Sequence, residues 1–581
     1  MSLIKRLSKS VREFKKTAIL TPITVTFEVI MEVVIPMLMA SLIDSGIDKG
    51  DMNYILKMGL ILIGCCVLSL IFGALAGKFA STASAGFARN LRHDMFDKVQ
   101  DFSFSNIDKY STSSLITRLT TDVTNVQNSF QMITRIAVRC PMMLIFAMVM
   151  SFSINAQLSL IFVCALPVLA VGLYLIMSRV HPIFMRVFKK YDRLNGGVQE
   201  NLRGIRVVKS YVREEHEDEK FKKVSGEIYG DFVKAEKLMA LGMPLMQFVV
   251  YACILLVSFF GARLIIGSGG TDMTTGQLMS LISYASQILM SMMMLSMVFV
   301  MITMSRASAE RIVEVLDEQP DIVSPENPVE TVPCGDVDFE NVCFSYSKER
   351  NTKVLKNINL HIKQGQTVGI IGGTGSAKSS LVQLIPRLYD ASEGCVKVGG
   401  TDVRRYELSA LRREVAMVLQ KNVLFSGTIR ENLRWGNENA TDEEIEHACR
   451  VACADGFISS FPEGYDTYIE QGGTNVSGGQ TQRLCIARAL LAKPKVIIMD
   501  DSTSAVDTHT ESMIRSAFAQ ELPDTTKIII AQRLSSVQDA DMIVVMDEGA
   551  ISAAGTHEEL MESCDIYREV YTSQNKGGDA Q

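Results

Sequence analysis

The stretch CPMMLIFAMVMSFSINAQLSLIFVCALPVLAVGLYLIMS, residues 140–178, carries no charged side chain. A membrane-crossing helix needs about 20 apolar residues, so this run is long enough for two. Ser153, Asn155 and Gln157 mark a short polar turn between them. Working outward, charge-free runs recur at 58–77, 238–262 and 273–305, and residues 17–43 are apolar but for Glu28 and Glu32. These runs predict six membrane helices at about 17–43, 55–77, 135–154, 158–178, 238–264 and 273–303. Buried core helices of a soluble protein rarely run this long without charge. Nothing comparable follows residue 310.

The remaining composition narrows the class. With 48% hydrophobic residues, the chain is not disordered. Forty glycines and 14 prolines without a period exclude a collagen-like repeat. A net charge of −6 gives no reason to expect a nucleic-acid partner. Twelve cysteines in 581 residues show no disulfide or zinc spacing. Cys449 and Cys453 share a helix face but lack two further ligands. His447 and His509 stand alone, without metal-site spacing.

Topology follows from the loops. The opening MSLIKRLSKSVREFKK is basic and amphipathic and does not read as a signal peptide. Leu3, Ile4, Leu7, Val11 and Phe14 share one helical face, so a helix lying on the cytoplasmic leaflet is expected. The long basic loops at 79–133 and 180–237 fall on the same side as this terminus. The amino terminus, these loops and the carboxyl-terminal domain are therefore expected in the cytoplasm of a multi-pass cell-membrane protein.

Within the helices, Glu28 and Glu32 are four apart and share a face. A carboxylate at mid-bilayer costs roughly 2.5–3.5 kcal/mol, so the pair should face protein or a cavity. It is either a contact for a cationic substrate or a link between helices. Arg139, at a span's edge, reads as snorkelling. Met293 and Met297 belong to a methionine-rich run that suits an adaptable substrate cavity, or lipid contact and packing.

From about residue 336 short apolar runs alternate with charged helical stretches. VGII at 368–371 reads as a buried strand, GGTGSAKSS at 372–380 as a phosphate loop, and LVQLI at 381–385 as the helix after it. Such a loop, here Gly372, Thr374, Gly375, Ser376, Ala377, Lys378, Ser379 and Ser380, aims backbone N–H groups at phosphates. Lys378 would reach the β/γ-phosphates of ATP and Ser379 would bind Mg²⁺. Ala377 replaces the pattern's last glycine, where a methyl could press on the phosphate path or resist the backbone angle. KVIIMDD at 495–501 is a buried strand ending in Asp500, which suits Mg²⁺, and Asp501. NVSGGQ at 475–480 precedes a helical pattern.

This set resembles a half-transporter of the ATP-binding cassette exporter family over essentially the whole chain. The resemblance implies a six-helix transmembrane domain at 1–320, a linker at 321–335 and an α/β P-loop ATPase domain at 336–577. It implies adenine stacking on Tyr346 and a lid-loop glutamine, Gln420, that touches Mg²⁺. It implies a signature, Ser477, Gly478, Gly479 and Gln480, that closes over a partner's ATP. Ser504 and Asp507 would lie in a loop that crosses between subunits, and stretches near 107–114 and 201–210 resemble coupling helices. Two positions depart from the family on the hydrolytic groups, Asp501 where it usually has glutamate and Gln532 for its switch histidine, and Gln471 also departs from the acidic residue common in the loop before the signature. That pattern resembles the degenerate subunit of a heterodimeric exporter of amphipathic, drug-like solutes. The alternatives are a homodimeric lipid or peptide exporter and an ATP-gated, channel-like member.

Overall fold

This computed structural model describes residues 3–346, 353–501 and 506–576. The chain divides into two units: Met1–Gln100 with Thr112–Glu318, and Asp101–Ser111 with the chain from Gln319 onward.

The first unit is all α. Its long helices are α1 (Lys15–Leu42), α2 (Met52–Gln100), α3 (Val123–Ile154), α4 (Ala156–Arg203), α5 (Glu214–Met239), α6 (Gly242–Ser268) and α7 (Thr275–Asp317). Among the described residues, six helical stretches are long and apolar enough to cross a membrane, α5 and α6 counting as one. These helices far outrun the apolar segments. At 49 residues α2 is about 74 Å long, more than twice a hydrocarbon core of roughly 30 Å. Its buried residues all lie from Ala76 to Met95, while Leu60, Ile63 and Leu70 are exposed. The apolar half is thus built for a lipid solvent and the charged half for protein contact.

The turn between α3 and α4 falls at Asn155, whose side chain accepts from the Leu158 N–H at 3.1 Å and caps α4. The unit's core joins Val25, Val29, Val33, Phe162, Val257, Leu281, Tyr284 and Ile288. Pro36 lacks the N–H that would close the preceding turn of α1. In that turn Tyr284 donates its hydroxyl to the Val33 carbonyl at 2.7 Å.

The amino-terminal segment corrects the expectation of a helix on the leaflet. Helix Leu3–Leu7 gives way to a tighter turn, Ser8–Phe14, broken at Arg12 with φ of 40°. Asn90 donates to the Ser10 carbonyl at 3.1 Å, Ser10 and Arg12 bond Asp94, and Arg89 pairs with Glu13. Val11 is buried, and a side-chain carbon at Gly86 would lie 2.3 Å from the Phe14 ring. The segment straps onto α2, and Gly86 makes room for it.

The second unit is α/β. A six-stranded sheet contains β1 (Thr367–Gly372), β2 (Val415–Val418), β3 (Val496–Asp500), β4 (Thr526–Ile530), β5 (Met542–Asp547) and β6 (Ala550–Gly555), in the order β6-β5-β1-β4-β3-β2. All neighbours are parallel except β5 and β6. Strands β3 and β4 are buried at every residue, as a sheet covered on both faces requires. A separate antiparallel sheet holds Val337–Phe344 and Leu355–Ile362. Segment Asp101–Ser111, which connects α2 towards α3, groups with this unit: helix Phe104–Lys109 is held by Ser105 donating to Asp321 at 2.7 Å and Asn106 donating to the Gln319 carbonyl at 3.1 Å.

Candidate nucleotide site

Open parallel sheets bind ligands where their strands end. Here β1 ends in Gly372, which feeds the glycine-rich loop, and β3 ends in Asp500, with β4 between them. Gly372 has φ of 153°, and a side-chain carbon there would lie 2.3 Å from the Met546 carbonyl oxygen, so only glycine fits. Helix α8 (Lys378–Gln383) starts directly after Ala377. Lys378 donates to the Gly372 carbonyl at 2.8 Å, the Gly373 carbonyl at 2.9 Å and Ser376 Oγ at 3.3 Å. Its burial lowers its basicity, and the charges of Asp500 and Asp501 partly restore it.

Ser379 Oγ donates to Asp500 Oδ1 at 3.0 Å. Asp500 is 4% exposed, and burial raises its carboxyl above the ordinary range against the bond from Ser379. Two hard oxygen donors side by side suit Mg²⁺, which keeps several waters and takes further ligands from phosphate. No cluster of three or more His, Cys, Asp or Glu residues suited to a metal occurs among the described residues.

Asp501 and Gln532 meet. Ile530 pairs with Asp500 across β4 and β3, and the Asp501 N–H donates to the Ile530 carbonyl at 3.1 Å. This register brings Gln532 Nε2 to donate to Asp501 Oδ2 at 2.7 Å. Asp501 sits at φ of 49°. The short acid is therefore oriented, not loose.

Ala377 adopts φ of 69° and ψ of 24°, the left-handed region, so the angle expected to suit glycine is present. Its methyl packs against the apolar cluster of Leu381, Val382 and Ile370. Tyr346 is half exposed, with its hydroxyl 2.9 Å from Ser380 Oγ. Thr374 and Gly375 lie within the loop, and Gln420 is exposed just past β2.

Ser477 caps α9 (Gly478–Leu491): its Oγ accepts from the Gln480 N–H at 3.3 Å while Gln480 Oε1 accepts from the Ser477 N–H at 2.9 Å. This reciprocal box leaves Ser477 and Gly478 exposed. Asp507 caps α10 (Thr508–Glu521), accepting from the Thr510 N–H at 2.9 Å. Ser504 lies outside the described residues.

Sequence reasoning missed further contacts. Arg139 does not snorkel: its guanidinium bridges Glu28 at 2.7 Å and Glu32 at 2.7 Å, so of the two readings of the acidic pair the structure builds the link between helices. The signal was present, since ionisable residues within membrane spans commonly pair with one another. Tyr389 packs its ring 5.1 Å from that of Tyr346, a contact no motif marks. Met293 and Met297 are exposed on α7.

Comparison with known proteins agrees with this geometry. The family model of the ABC transporter transmembrane region matches residues 18–292, and that of the ABC transporter matches 355–504. The uncharacterized ABC transporter ATP-binding protein YfiB of Bacillus subtilis is 36% identical over 526 residues, covering 90% of this chain and 91% of that relative. The probable multidrug resistance ABC transporter ATP-binding/permease protein YheI of Bacillus subtilis is 33% identical over 469 residues, covering 80% of this chain and 79% of its own. The structure of a bacterial Atm1-family ABC exporter with ATP bound superposes with a TM-score of 0.82 at 24% identity, over 97% of this chain and 98% of that one. At that identity the likeness speaks for the fold alone. Six membrane helices and a phosphate loop facing a carboxylate-ended strand, found in one chain with these relatives, place it in the ABC transporter family, as a multi-pass plasma-membrane protein whose cytoplasmic domain hydrolyses ATP to move substrates.

Proposed function

We propose that this chain is one half of an exporter that moves amphipathic, drug-like solutes outward, and that two halves close head-to-tail over ATP. The observation that carries this reading is the division of labour within the second unit. Lys378 bonds the loop carbonyls and Ser379 bonds Asp500, an arrangement that suits phosphate and Mg²⁺, while the signature at Ser477 is exposed and so open to another subunit's nucleotide. Lys378 and the loop N–H groups would hold the phosphates, Ser379 and Asp500 with Gln420 would hold Mg²⁺, and Tyr346 would stack on adenine. Mg²⁺ would neutralise charge on the transferring phosphoryl group. Asp501, oriented by Gln532, would take the proton of the attacking water. The drug-like substrate class is carried over from YheI, and the exposed Met293 and Met297 would offer it an adaptable apolar wall.

Two readings of the partner follow from different observations. A second copy of this chain is favoured by the hydrogen bond from Gln532 to Asp501, which keeps a carboxylate in place for slow hydrolysis. A different half-transporter is favoured by the missing glutamate and histidine beside an intact signature, the pattern of a degenerate ATP site. The test is to purify the chain alone, measure its mass and ATPase, and load sealed inside-out vesicles with the dye Hoechst 33342 under ATP. A dimer that hydrolyses ATP and accumulates dye against its gradient establishes the self-paired exporter. An inert chain that gains turnover only with another half-transporter establishes the mixed pair. ATP-dependent leak without accumulation would mark a gated channel and overturn the export reading.

A further inference from the structure

Three pairs of residues, each four positions apart, meet in the membrane unit: Glu28 and Glu32 on α1, Gly73 and Gly77 on α2, and Arg135 and Arg139 on α3. Four residues make about one turn, so each pair lines one face of its helix. Arg139 uses both ends of its guanidinium. Its Nη1 donates to Glu28 Oε1 at 2.7 Å, and its Nη2 to both oxygens of Glu32 at 2.7 and 2.8 Å. Glu28 Oε2 is buried and bonds nothing among the described residues. Arg135, one turn before Arg139, makes no hydrogen bond or ion pair among them either. Two carboxylates thus meet two guanidiniums with one oxygen and one cation left over.

Helix α2 shows how near the leftover groups lie. A side-chain carbon at Gly73 would lie 3.1 Å from Glu28 Oε1 and 3.7 Å from Oε2, and one at Gly77 would lie 3.5 Å from Arg135 Nη1. The two glycines are about 6 Å apart along α2, so Glu28 and Arg135 rest on successive turns of one smooth face. Arg139 bridges carboxylates one turn apart and so sits level with their midpoint. Helices α1 and α3, the first and third spans, run in the same direction. A slide of α3 along its own chain direction by about 3 Å, half the spacing of four residues, sets Arg139 level with Glu32 and Arg135 level with Glu28.

We propose that Arg135 is a positioning residue for transport, the second partner of Glu28 in a register where each guanidinium holds one carboxylate. The helices then have two registers: the one seen here, with Arg139 forked across both acids, and the paired one. A buried carboxylate oxygen without a partner is costly inside a membrane. The paired register removes that cost, so ATP has a discrete alternative packing to drive α3 towards. This requires only the ATP-driven cycle and is independent of the partner and the solute.

Thermal unfolding of the full-length transporter in lipid nanodiscs tests it, for the parent, Glu28→Gln, Arg135→Gln and the double variant, each with and without AMP-PNP and Mg²⁺. The midpoint shifts of the single variants should add in one condition. In the other the double variant should fall short of their sum by roughly 2 °C or more, because both single changes remove the same pair. Additive shifts in both conditions, or equal coupling in both, would overturn the proposal. ATP-driven accumulation of Hoechst 33342 gives a second readout. Arg135→Gln should cut it several-fold with AMP-PNP affinity unchanged, and Arg135→Lys, which keeps the charge, should retain most of it. Equal losses in these two variants would mark a packing role and overturn the proposal too. A parent that accumulates no dye would count against the exporter reading alone, and the thermal comparison would still decide the pairing.

Discussion

Ala377 and Asp501 are the residues expected to limit the ATP site, and both hold positive φ angles. That region costs a residue with a side chain about 1–2 kcal/mol, which α8 and the apolar cluster offset at Ala377. Ala377→Gly is expected to bind ATP at least as tightly as the parent. Ala377→Val, branched at Cβ and disfavoured at this angle, should bind at least about tenfold more weakly, as a titration with a fluorescent ATP analogue will read. Asp501 ends one methylene short of a glutamate, and a misplacement of about 1 Å can cost on the order of 10²-fold in rate. Asp501→Glu should therefore raise steady-state ATPase several-fold, and a fall would show that the site is tuned to aspartate through Gln532.

Two of the buried charges, on different elements, have opposite consequences. Glu28 on α1 is 5% exposed and depends on Arg139 of α3. Removing one partner of a buried pair leaves an uncompensated charge and costs about 3–5 kcal/mol. Arg139→Ala is expected to lower thermal stability in detergent sharply. Glu28→Gln with Glu32→Gln should do so less, and should reduce transport of cationic and neutral dyes alike; selective loss of the cationic dye would restore the substrate reading. In β4, Lys527 is 4% exposed, and burial lowers it from its usual 10.5 although Asp541 and Asp524 push back. The unfolded chain then binds more protons between the depressed value and 10.5, so stability rises with pH in that window. Lys527→Met should be the more stable protein at neutral pH, with the gap closing as pH approaches 10, as denaturant midpoints across pH will show.

For the whole molecule the decisive surface is the exposed start of α9. Ser477→Arg removes the cap and sets a bulky cation where a second subunit's γ-phosphate would lie. ATPase of the assembled transporter is expected to vanish while nucleotide binding to this chain's own loop persists. Retained turnover would show that the signature completes no site. Fold class and the phosphate loop were legible because both rest on local pattern: charge-free runs of membrane length, and a strand, glycine turn and helix contiguous from 368 to 385. Departures at Asp501 and Gln532 were equally plain, but their mutual hydrogen bond was not.

What the sequence by itself determined is the set of parts: six apolar helices, a nucleotide fold and the residue types at its phosphate loop and strand ends. Each is encoded in a window short enough to be read without knowing what packs against it. The tertiary structure alone decided which parts touch. Parallel register sets Gln532 on Asp501. Helix packing sets Arg139 between Glu28 and Glu32 and straps Phe14 over Gly86. A fold of the chain brings Asp108 to Tyr389. Those contacts join residues tens to hundreds of positions apart, and closing such loops is favoured only by the packing of the finished fold, which no local window contains.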